Sequence, residues 1–256
     1  VESGLVTGST TSILRSAAAG KINCLILLGA DPIADVRDTE LARQAMAAVP
    51  HIIAIDTFAS TSSQRADVLL PAAAFGEKDG TTTNLEGRVT QLNRKVNVHG
   101  TARPDWMIAL ELADYLGHDL GVGSVQEVHQ QLVSKVAAFA DATRAALAIN
   151  PDGILLRRST GNSASAAAPA VPDRPGFGYR LVVSRKLYDN GSNVAHSPSL
   201  APLATSSSLH MHPLDLDRLG ASVGAQVKVA NDRTSIVMPI VADESVTRGT
   251  VWAAWA

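Results

Sequence analysis

The stretch ADVLLPAAAFGEKDGTTTNLEGR, residues 66–88, joins a short strand to a polar loop that contains glycine. Residues 67–70, DVLL, are typical of a strand, and Pro71 ends it. Gly80 and Gly87 then flank a run of polar residues. Such a loop is typical of a solvated hairpin whose glycines adopt positive φ, and equally of a loop that lines a ligand. Its position in the chain does not decide between the two.

The segment before this stretch predicts a parallel sheet. Residues 22–28, INCLILL, form a continuous apolar run, which is typical of a strand buried on both faces. A helix is expected to begin near Asp38 and to end before Pro50, and residues 51–55 form a second strand. Strand, helix and strand with short links indicate a βαβ unit, to which DVLL adds a third strand.

The remainder of the first half is predicted to be helical. One helix is expected from about residue 104 to 116, with Pro104 in its first turn and Gly117 beyond its end. Another begins at Ser124, where Glu127 completes a capping-box pattern. These helices would flank the parallel sheet.

The second half of the chain changes character. Residues 159–176 are small, polar and proline-bearing, which indicates a linker. Short strands follow at 181–184, 226–230 and 234–242, and strands of this length separated by turns are typical of a small β-barrel.

The sequence therefore predicts an α/β fold in two domains. A parallel-sheet domain with flanking helices occupies residues 1–158, a linker occupies 159–176, and a small β-barrel domain occupies 177–256. Because the sequence starts without Met and stops in an apolar strand-like run, we expect a fragment of a longer protein.

Composition excludes several classes of function. Hydrophobic residues make up 46% of the chain, and the net charge of −2 gives no reason to expect a nucleic-acid partner. No apolar run reaches the length of about 18 residues that a membrane-spanning helix needs, so direct insertion into a membrane is not expected. With Cys24 as the sole cysteine, neither an intrachain disulfide nor an all-cysteine metal site can form.

Polar residues follow the first two predicted strands. Gly29 and Asp31 come after the first strand, and Asp56 and Thr57 come at the end of the second. Ligands of open parallel sheets bind beyond the carboxyl ends of strands, where a glycine admits a phosphate and an acidic residue accepts from a ribose. The alternative for residues 29–32 is a turn in which glycine and proline supply the required dihedrals. The alternative for Asp56 and Thr57 is that an aspartate or threonine caps the segment that follows. The G-x-G-x-x-G fingerprint of dinucleotide sites is missing.

The histidines do not predict a metal site. His210 and His212 lie two apart, but Pro213 follows, and HPLDLDRLG is better interpreted as a turn into a short helix that ends at Gly220. His196 lies in a predicted loop and could touch a ligand. The sequence contains neither a nucleophile elbow nor a P-loop, so we predict no catalytic residue and no metal ligand.

Residues 66–88 closely resemble a signature of the molybdopterin oxidoreductase family. In that family a strand ending in Leu-Pro leads to a loop of the form Glu-x-Asp-Gly-Thr-x-x-Asn-x-Glu-Gly-Arg. The matching positions here are Leu70, Pro71, Glu77, Asp79, Gly80, Thr81, Asn84, Glu86, Gly87 and Arg88. Segments 25–32 and 54–71 are also similar to the family, and 212–233 resembles its C-terminal dinucleotide-binding β-barrel domain.

The resemblance implies a set of cofactor-facing residues. In cofactor-bearing members the strand-end loops line a molybdopterin guanine dinucleotide. By that resemblance the residues facing it would be Gly29, Asp31, Asp56, Thr57, Asp79, Asn84, His196 and Asn231. Arg65, Lys78 and Arg88 would be the candidates for its pyrophosphate.

Within the family, three segments resemble the large G subunit of bacterial NADH-quinone oxidoreductase, respiratory complex I. They are residues 75–96, 100–106 and 188–203. This branch implies a structural relic whose dinucleotide site is vestigial, with no cofactor in this fragment and with iron–sulfur clusters upstream. Its partners would be other subunits of the complex I peripheral arm, at the cytoplasmic side of the inner membrane.

Two other interpretations remain open at this point. The chain could belong to an active molybdenum oxidoreductase of the formate dehydrogenase or nitrate reductase type. It could also be a stand-alone nucleotide-binding or interaction module. Stoichiometric molybdenum in the full-length protein would support the active molybdenum enzyme. Expression of residues 1–256 as a stable, soluble monomer would support the stand-alone module.

Overall fold

The computed structural model describes residues 8–157, 178–204, 207–231 and 234–254. The chain divides into two compact units, Val1–Ala164 and Ser165–Ala256. The division falls inside the predicted linker, all of which lies outside the described residues.

The first unit contains the predicted parallel sheet. Its strands are β1 (Cys24–Leu28), β2 (His51–Asp56) and β3 (Val68–Pro71), which pair in the order β1-β2-β3. Both pairs are parallel, with Leu25 opposite Ile52. The βαβ prediction is confirmed, and the carboxyl ends of the three strands lie at one edge of the sheet.

Three helices accompany this sheet: α1 (Thr10–Ala18), α2 (Pro32–Asp35) and α3 (Thr39–Ala48). Helices α1 and α3 pack against each other and share one core cluster with β1 and β2. Helix α3 was predicted. Helix α1 was not, although Ser9 caps its start by accepting a hydrogen bond from the Ser12 backbone N–H.

Strand β1 is buried on one face only. Leu25 and Leu27 are 9% and 6% exposed, whereas Ile26 and Leu28 are 56% and 60% exposed. The prediction of burial on both faces is therefore wrong for the described residues. A continuous apolar run does not reveal how many faces are covered, and among these residues α1 and α3 cover only the face that carries Leu25 and Leu27.

A second, antiparallel sheet follows in the first unit. It consists of β4 (Gly80–Thr83), β5 (Arg88–Leu92) and β6 (Ile154–Leu155) in the order β4-β5-β6. The polar loop of residues 75–88 thus folds largely into a hairpin. Its core forms around Val89, which packs with Ala142 and Leu147.

Helices α4 (Asp105–Tyr115), α5 (Val125–Lys135) and α6 (Arg144–Ile149) complete this unit. The first two were predicted, and Ser124 caps α5 by accepting from the Glu127 backbone N–H at 3.3 Å. Single 3₁₀ turns lie at Ser63–Arg65, Phe75–Glu77 and Ala137–Phe139, and a further one at Ala201–Leu203 in the second unit.

The second unit is built on a five-stranded mixed sheet. Its elements are β7 (Arg180–Ser184), α7 (Ser192–Ala195), β8 (Leu209–Met211), α8 (Pro213–Leu219), β9 (Gln226–Ala230), β10 (Ser235–Ala242) and β11 (Thr250–Ala254). The strand order is β7-β11-β8-β10-β9, and β7 and β9 are not paired with each other among the described residues. Helix α8 ends at Gly220, whose φ of 70° confirms the predicted stop.

Asp215 joins α8 to the chain that enters β11. It is 3% exposed, and its Oδ2 accepts a hydrogen bond from the Gly249 backbone N–H at 2.6 Å. That hydrogen bond, together with the nearby Arg248 guanidinium, lowers the pKa of the Asp215 carboxyl below its ordinary value. Asp215 therefore stabilises the folded state in its charged form.

We expect the unfolding free energy to fall as the pH drops below about 4, because an aspartate with a lowered folded-state pKa contributes stability above its unfolded pKa of about 3.9 and loses it on acidification. In the Asp215→Asn variant, the unfolding free energy measured with urea should depend less steeply on pH between neutral and acid conditions. Asp217→Asn, an exposed position on the same helix, should keep the wild-type slope. Equal slopes for the wild type and Asp215→Asn would contradict the assignment.

The one-sided burial of strand β1 also has a direct test. Ile52→Ala removes a side chain that is 3% exposed and should cost about 2–5 kcal/mol in denaturant unfolding. Ile26→Ala removes the same atoms from the other face of the neighbouring strand and should cost about 0.5 kcal/mol or less. Similar losses for the two variants would show that the face of β1 that carries Ile26 is covered as well.

Candidate functional site

The predicted site lies where β1 and β2 end. Gly29 follows β1 with φ of 54°, a backbone conformation that favours glycine. Its backbone N–H donates to the Ile55 carbonyl at 2.8 Å, which extends the ladder between the two strands by one bond. The polar residues after β1 and β2 are therefore brought together, as the parallel topology predicts.

Asp31 binds the loop that follows β2. It is 8% exposed, and its carboxylate accepts from the backbone N–H groups of Thr61 and Ser62, both at 3.1 Å. The Ser62 hydroxyl donates to the same carboxylate at 2.5 Å and accepts from the Ile33 N–H at 3.0 Å. A fourth, longer bond of 3.3 Å from the Ala34 N–H caps α2. Both carboxylate oxygens are thus engaged by the protein.

Asp56 organises the start of the same loop. Its Oδ1 accepts from the backbone N–H groups of Thr57 at 2.8 Å and Phe58 at 3.5 Å. Its Oδ2 accepts from the Ser60 hydroxyl at 3.2 Å, and Ser60 in turn lies 3.0 Å from the Ser63 hydroxyl. Asp31 and Asp56 therefore bond the same loop. Asp56 caps the start of that loop, which is the structural alternative that the sequence left open for it, whereas the bonds from Asp31 to the loop were not predicted.

Asp79 and Asn84 belong to the β4–β5 hairpin instead. The Asp79 carboxylate accepts from the Arg94 backbone N–H at 2.9 Å. The Asn84 side-chain carbonyl accepts from the backbone N–H groups of Glu86 at 3.0 Å and Arg88 at 2.9 Å. An asparagine that bonds the backbone two and four residues ahead shapes a turn, so Asn84 has a structural role in the hairpin.

Asp31 and Asp79 also line different cavities. Asp31 borders a cavity of about 500 Å³ between α1 and β1, where most lining groups are apolar and Asp35 is a second carboxylate. Asp79 borders a cavity of about 170 Å³ between the hairpin and helices α5 and α6, with Arg144 at its edge. The predicted residues of the first unit therefore form two groups rather than one.

Two of the three predicted pyrophosphate cations are paired with carboxylates. The Lys78 ammonium contacts the Asp105 carboxylate, and the Arg88 Nε lies 3.4 Å from the Glu86 carboxylate. Arg65 is exposed at the end of the loop that carries Ser63. A cation that is already paired with a carboxylate attracts an anionic ligand less than a free cation does, because binding the ligand would break or weaken the existing ion pair.

His196 and Asn231 lie in the second unit. His196 directly follows the short helix α7, with its backbone N–H donating to the Ser192 carbonyl at 3.1 Å. The Asn231 side-chain carbonyl accepts from the Thr234 N–H at 2.8 Å, between the end of β9 and the start of β10. Residues 232 and 233 of the turn predicted there lie outside the described residues.

Sequence reasoning missed a polar cluster on the outer face of the second sheet. His210 Nδ1 lies 2.9 Å from Asp243 Oδ2, and His210 Nε2 lies 3.1 Å from the Ser208 hydroxyl. The Trp252 ring packs edge-on at 4.8 Å between ring centroids, and the Lys186 ammonium lies 4.7 Å from the Trp252 centroid. The alternation of apolar and polar residues in β8 could have indicated this cluster. His210 stands between the buried residues Leu209 and Met211, so its side chain lies on the opposite face of the strand.

Asp243 remains ionised in this cluster. The Ser245 hydroxyl, with His210 and the Ser245 backbone N–H, lowers the pKa of the Asp243 carboxyl below its ordinary value. Within the described ranges, no three histidine, cysteine or acidic side chains come together in a way that could hold a metal ion. No helix in that part of the chain is long and apolar enough to cross a bilayer.

Two protein-family models match the chain. The molybdopterin oxidoreductase model matches residues 2–115. The molydopterin dinucleotide binding domain model matches residues 179–255. The matches correspond to the two halves of the sequence, and together they cover well over half of it.

Three relatives illustrate the range of similar proteins. The NADPH-Fe(3+) oxidoreductase subunit alpha of Geobacter sulfurreducens is 30% identical over 85% of this chain and 25% of its own length. The F420-dependent formate dehydrogenase 1 subunit alpha of Methanococcus maripaludis is 25% identical over 92% and 38%. The second NADH-quinone oxidoreductase G subunit of Rhizobium meliloti is 27% identical over 94% and 28%. The chain thus spans between a quarter and two fifths of these relatives.

A solved structure has the same fold. Acetylene hydratase from Pelobacter acetylenicus superposes with a TM-score of 0.72 over 95% of this chain and 39% of its own, at 14% sequence identity. That similarity concerns the fold alone. The family models, which match both halves of the sequence, decide the classification: the chain belongs to the molybdopterin oxidoreductase family.

Proposed function

We propose that this chain is a structural part of a protein like the G subunit of NADH-quinone oxidoreductase, and that it supports electron transfer from NADH to quinone. Family membership supports a place in a redox enzyme. Similarity to such a G subunit along 94% of the chain supports this branch. The chain spans 28% of the length of that relative.

The observation that carries the structural role is the pairing of two of the three candidate pyrophosphate cations, Lys78 and Arg88. A bound dinucleotide brings negative charge that is normally met by Arg, Lys or clustered backbone donors. Here Lys78 contacts Asp105, and Arg88 lies beside Glu86. The chain as a whole carries a net charge of −2. These charges do not fit a pyrophosphate group well, which supports a vestigial dinucleotide site.

The proposed contribution of the chain is packing. Burial of apolar surface, at roughly 25 cal/mol per Å², would hold neighbouring domains and subunits at fixed spacing. Electron transfer between clusters depends on such fixed spacing. The partners would be other subunits of the complex I peripheral arm, at the cytoplasmic side of the membrane. The iron–sulfur clusters would be held outside this chain, whose one cysteine is Cys24.

The alternative is an active molybdopterin guanine dinucleotide-dependent oxidoreductase. Similarity to a formate dehydrogenase subunit along 92% of the chain favours it. In that case the strand-end residues of the first unit would contact the cofactor, which would supply the redox chemistry. The chain's own residues would then only bind and orient it.

Metal analysis of the full-length protein from its natural source distinguishes the two proposals. We expect iron in the purified protein and molybdenum far below one atom per chain, because the structural role requires no pterin cofactor. A formate dehydrogenase of the same family serves as the positive control. Both proteins are purified in parallel from cells that are grown with ample molybdate. Stoichiometric molybdenum in the full-length protein would overturn the structural role and support the alternative.

A further inference from the structure

The carboxylate of Asp31 is bound in the way that backbone nests bind an anion. Two successive N–H groups, those of Thr61 and Ser62, donate to its two oxygens at 3.1 Å each. The Ser62 hydroxyl adds a third donor at 2.5 Å. Consecutive backbone N–H groups that converge on one anion are a recurrent binding site for phosphate and other oxyanions.

The contact is buried and links distant parts of the chain. Asp31 is 8% exposed and Ser62 is fully buried, so little water competes for these donors. The two residues are 31 positions apart in the sequence, whereas the bond that caps α2, from the Ala34 N–H, is the longest of the four at 3.3 Å. The main partner of the Asp31 carboxylate is therefore the loop after β2, not the helix that follows it.

We propose that Asp31 is an internal ligand: its carboxylate fills an oxyanion-binding nest, formed by the backbone N–H groups of Thr61 and Ser62 at the carboxyl edge of the parallel sheet, and keeps phosphate groups out of it. This proposal rests on the proposed structural role only for the conclusion that a closed phosphate site is useful to the protein. The filling of the nest by Asp31 does not depend on that role. It names the class of ligand that the nest would otherwise accept, a phosphate or a comparable oxyanion.

Three features favour the internal carboxylate over an external phosphate. A tethered group competes at an effective concentration on the order of millimolar or higher. Asp56, which bonds Ser60 and the Thr57 N–H of the same loop, places a second negative charge nearby. The neighbouring cavity is mostly apolar and carries Asp35 rather than a cation. An incoming phosphate would therefore displace good hydrogen bonds and meet like charge.

The test removes the Asp31 carboxylate from the nest and measures whether inorganic phosphate then stabilises the protein. Asp31→Ala removes the carboxylate and should lower the thermal unfolding midpoint by several degrees. Added phosphate, compared with chloride at matched ionic strength, should then raise the midpoint of the variant and leave the wild type unchanged. Asp38→Ala is the matched control, because Asp38 caps α3 through a single exposed bond to the Leu41 N–H at 3.2 Å and fills no nest.

Either of two results overturns the proposal. One is equal stabilisation of the wild type and Asp31→Ala by phosphate, and the other is a folded Asp31→Ala that does not respond. Should Asp31→Ala fail to fold, Asp31→Asn decides, because the amide keeps one acceptor oxygen and frees one nest donor. A larger phosphate effect on Asp31→Asn than on the wild type supports the proposal, and an equal effect overturns it. Molybdenum in the full-length protein would contradict the proposed function but would not alter this comparison.

Discussion

The hydrogen bonds between Asp31 and the loop after β2 are the interaction on which the carboxyl edge of the first unit depends. Parallel pairing places the ends of β1 and β2 side by side, but it does not fix the loops that follow them. The buried Asp31 carboxylate fixes both loops at once, through the N–H groups of Thr61 and Ser62 and through the Ser62 hydroxyl. An unpaired carboxylate in that position would be costly, so the loop and the aspartate require each other.

Polar groups are used in the same way elsewhere in the chain. Asn84 shapes a turn, and Asn231 accepts from the Thr234 N–H. Asp79 accepts from the Arg94 N–H, and Asp215 accepts from the Gly249 N–H. In the part of the chain that the structure describes, no buried side-chain nitrogen or oxygen lacks a hydrogen-bond partner. A family member whose strand-end groups are engaged internally can retain the fold of a cofactor-binding enzyme and serve as a packed spacer. This combination agrees with the proposed function, which is carried by the pairing of Lys78 with Asp105 and of Arg88 with Glu86.

The sequence predicted what depends on local signals. The parallel βαβ unit followed from apolar runs joined by short links, and Ser124 and Gly220 marked a helix start and a helix stop. It predicted less well what depends on distant contacts. The exposure of Ile26 depends on which helices cover the sheet, and the pairing of Asp31 with Ser62 joins residues 31 apart. The residue types at the strand ends therefore indicated that this edge of the sheet is polar. They did not indicate whether the hydrogen-bonding groups there bind a ligand or other residues of the chain.

Backbone amide chemical shifts during a titration with guanosine diphosphate test the central claim most directly. The claim is that the carboxyl edge of the parallel sheet is saturated by the protein's own carboxylates. The amide resonances of Thr57, Phe58, Thr61 and Ser62 should then stay in place at every nucleotide concentration. A saturable shift of these four resonances, with the rest of the first unit unchanged, would show that the edge still receives a nucleotide phosphate and would contradict the account.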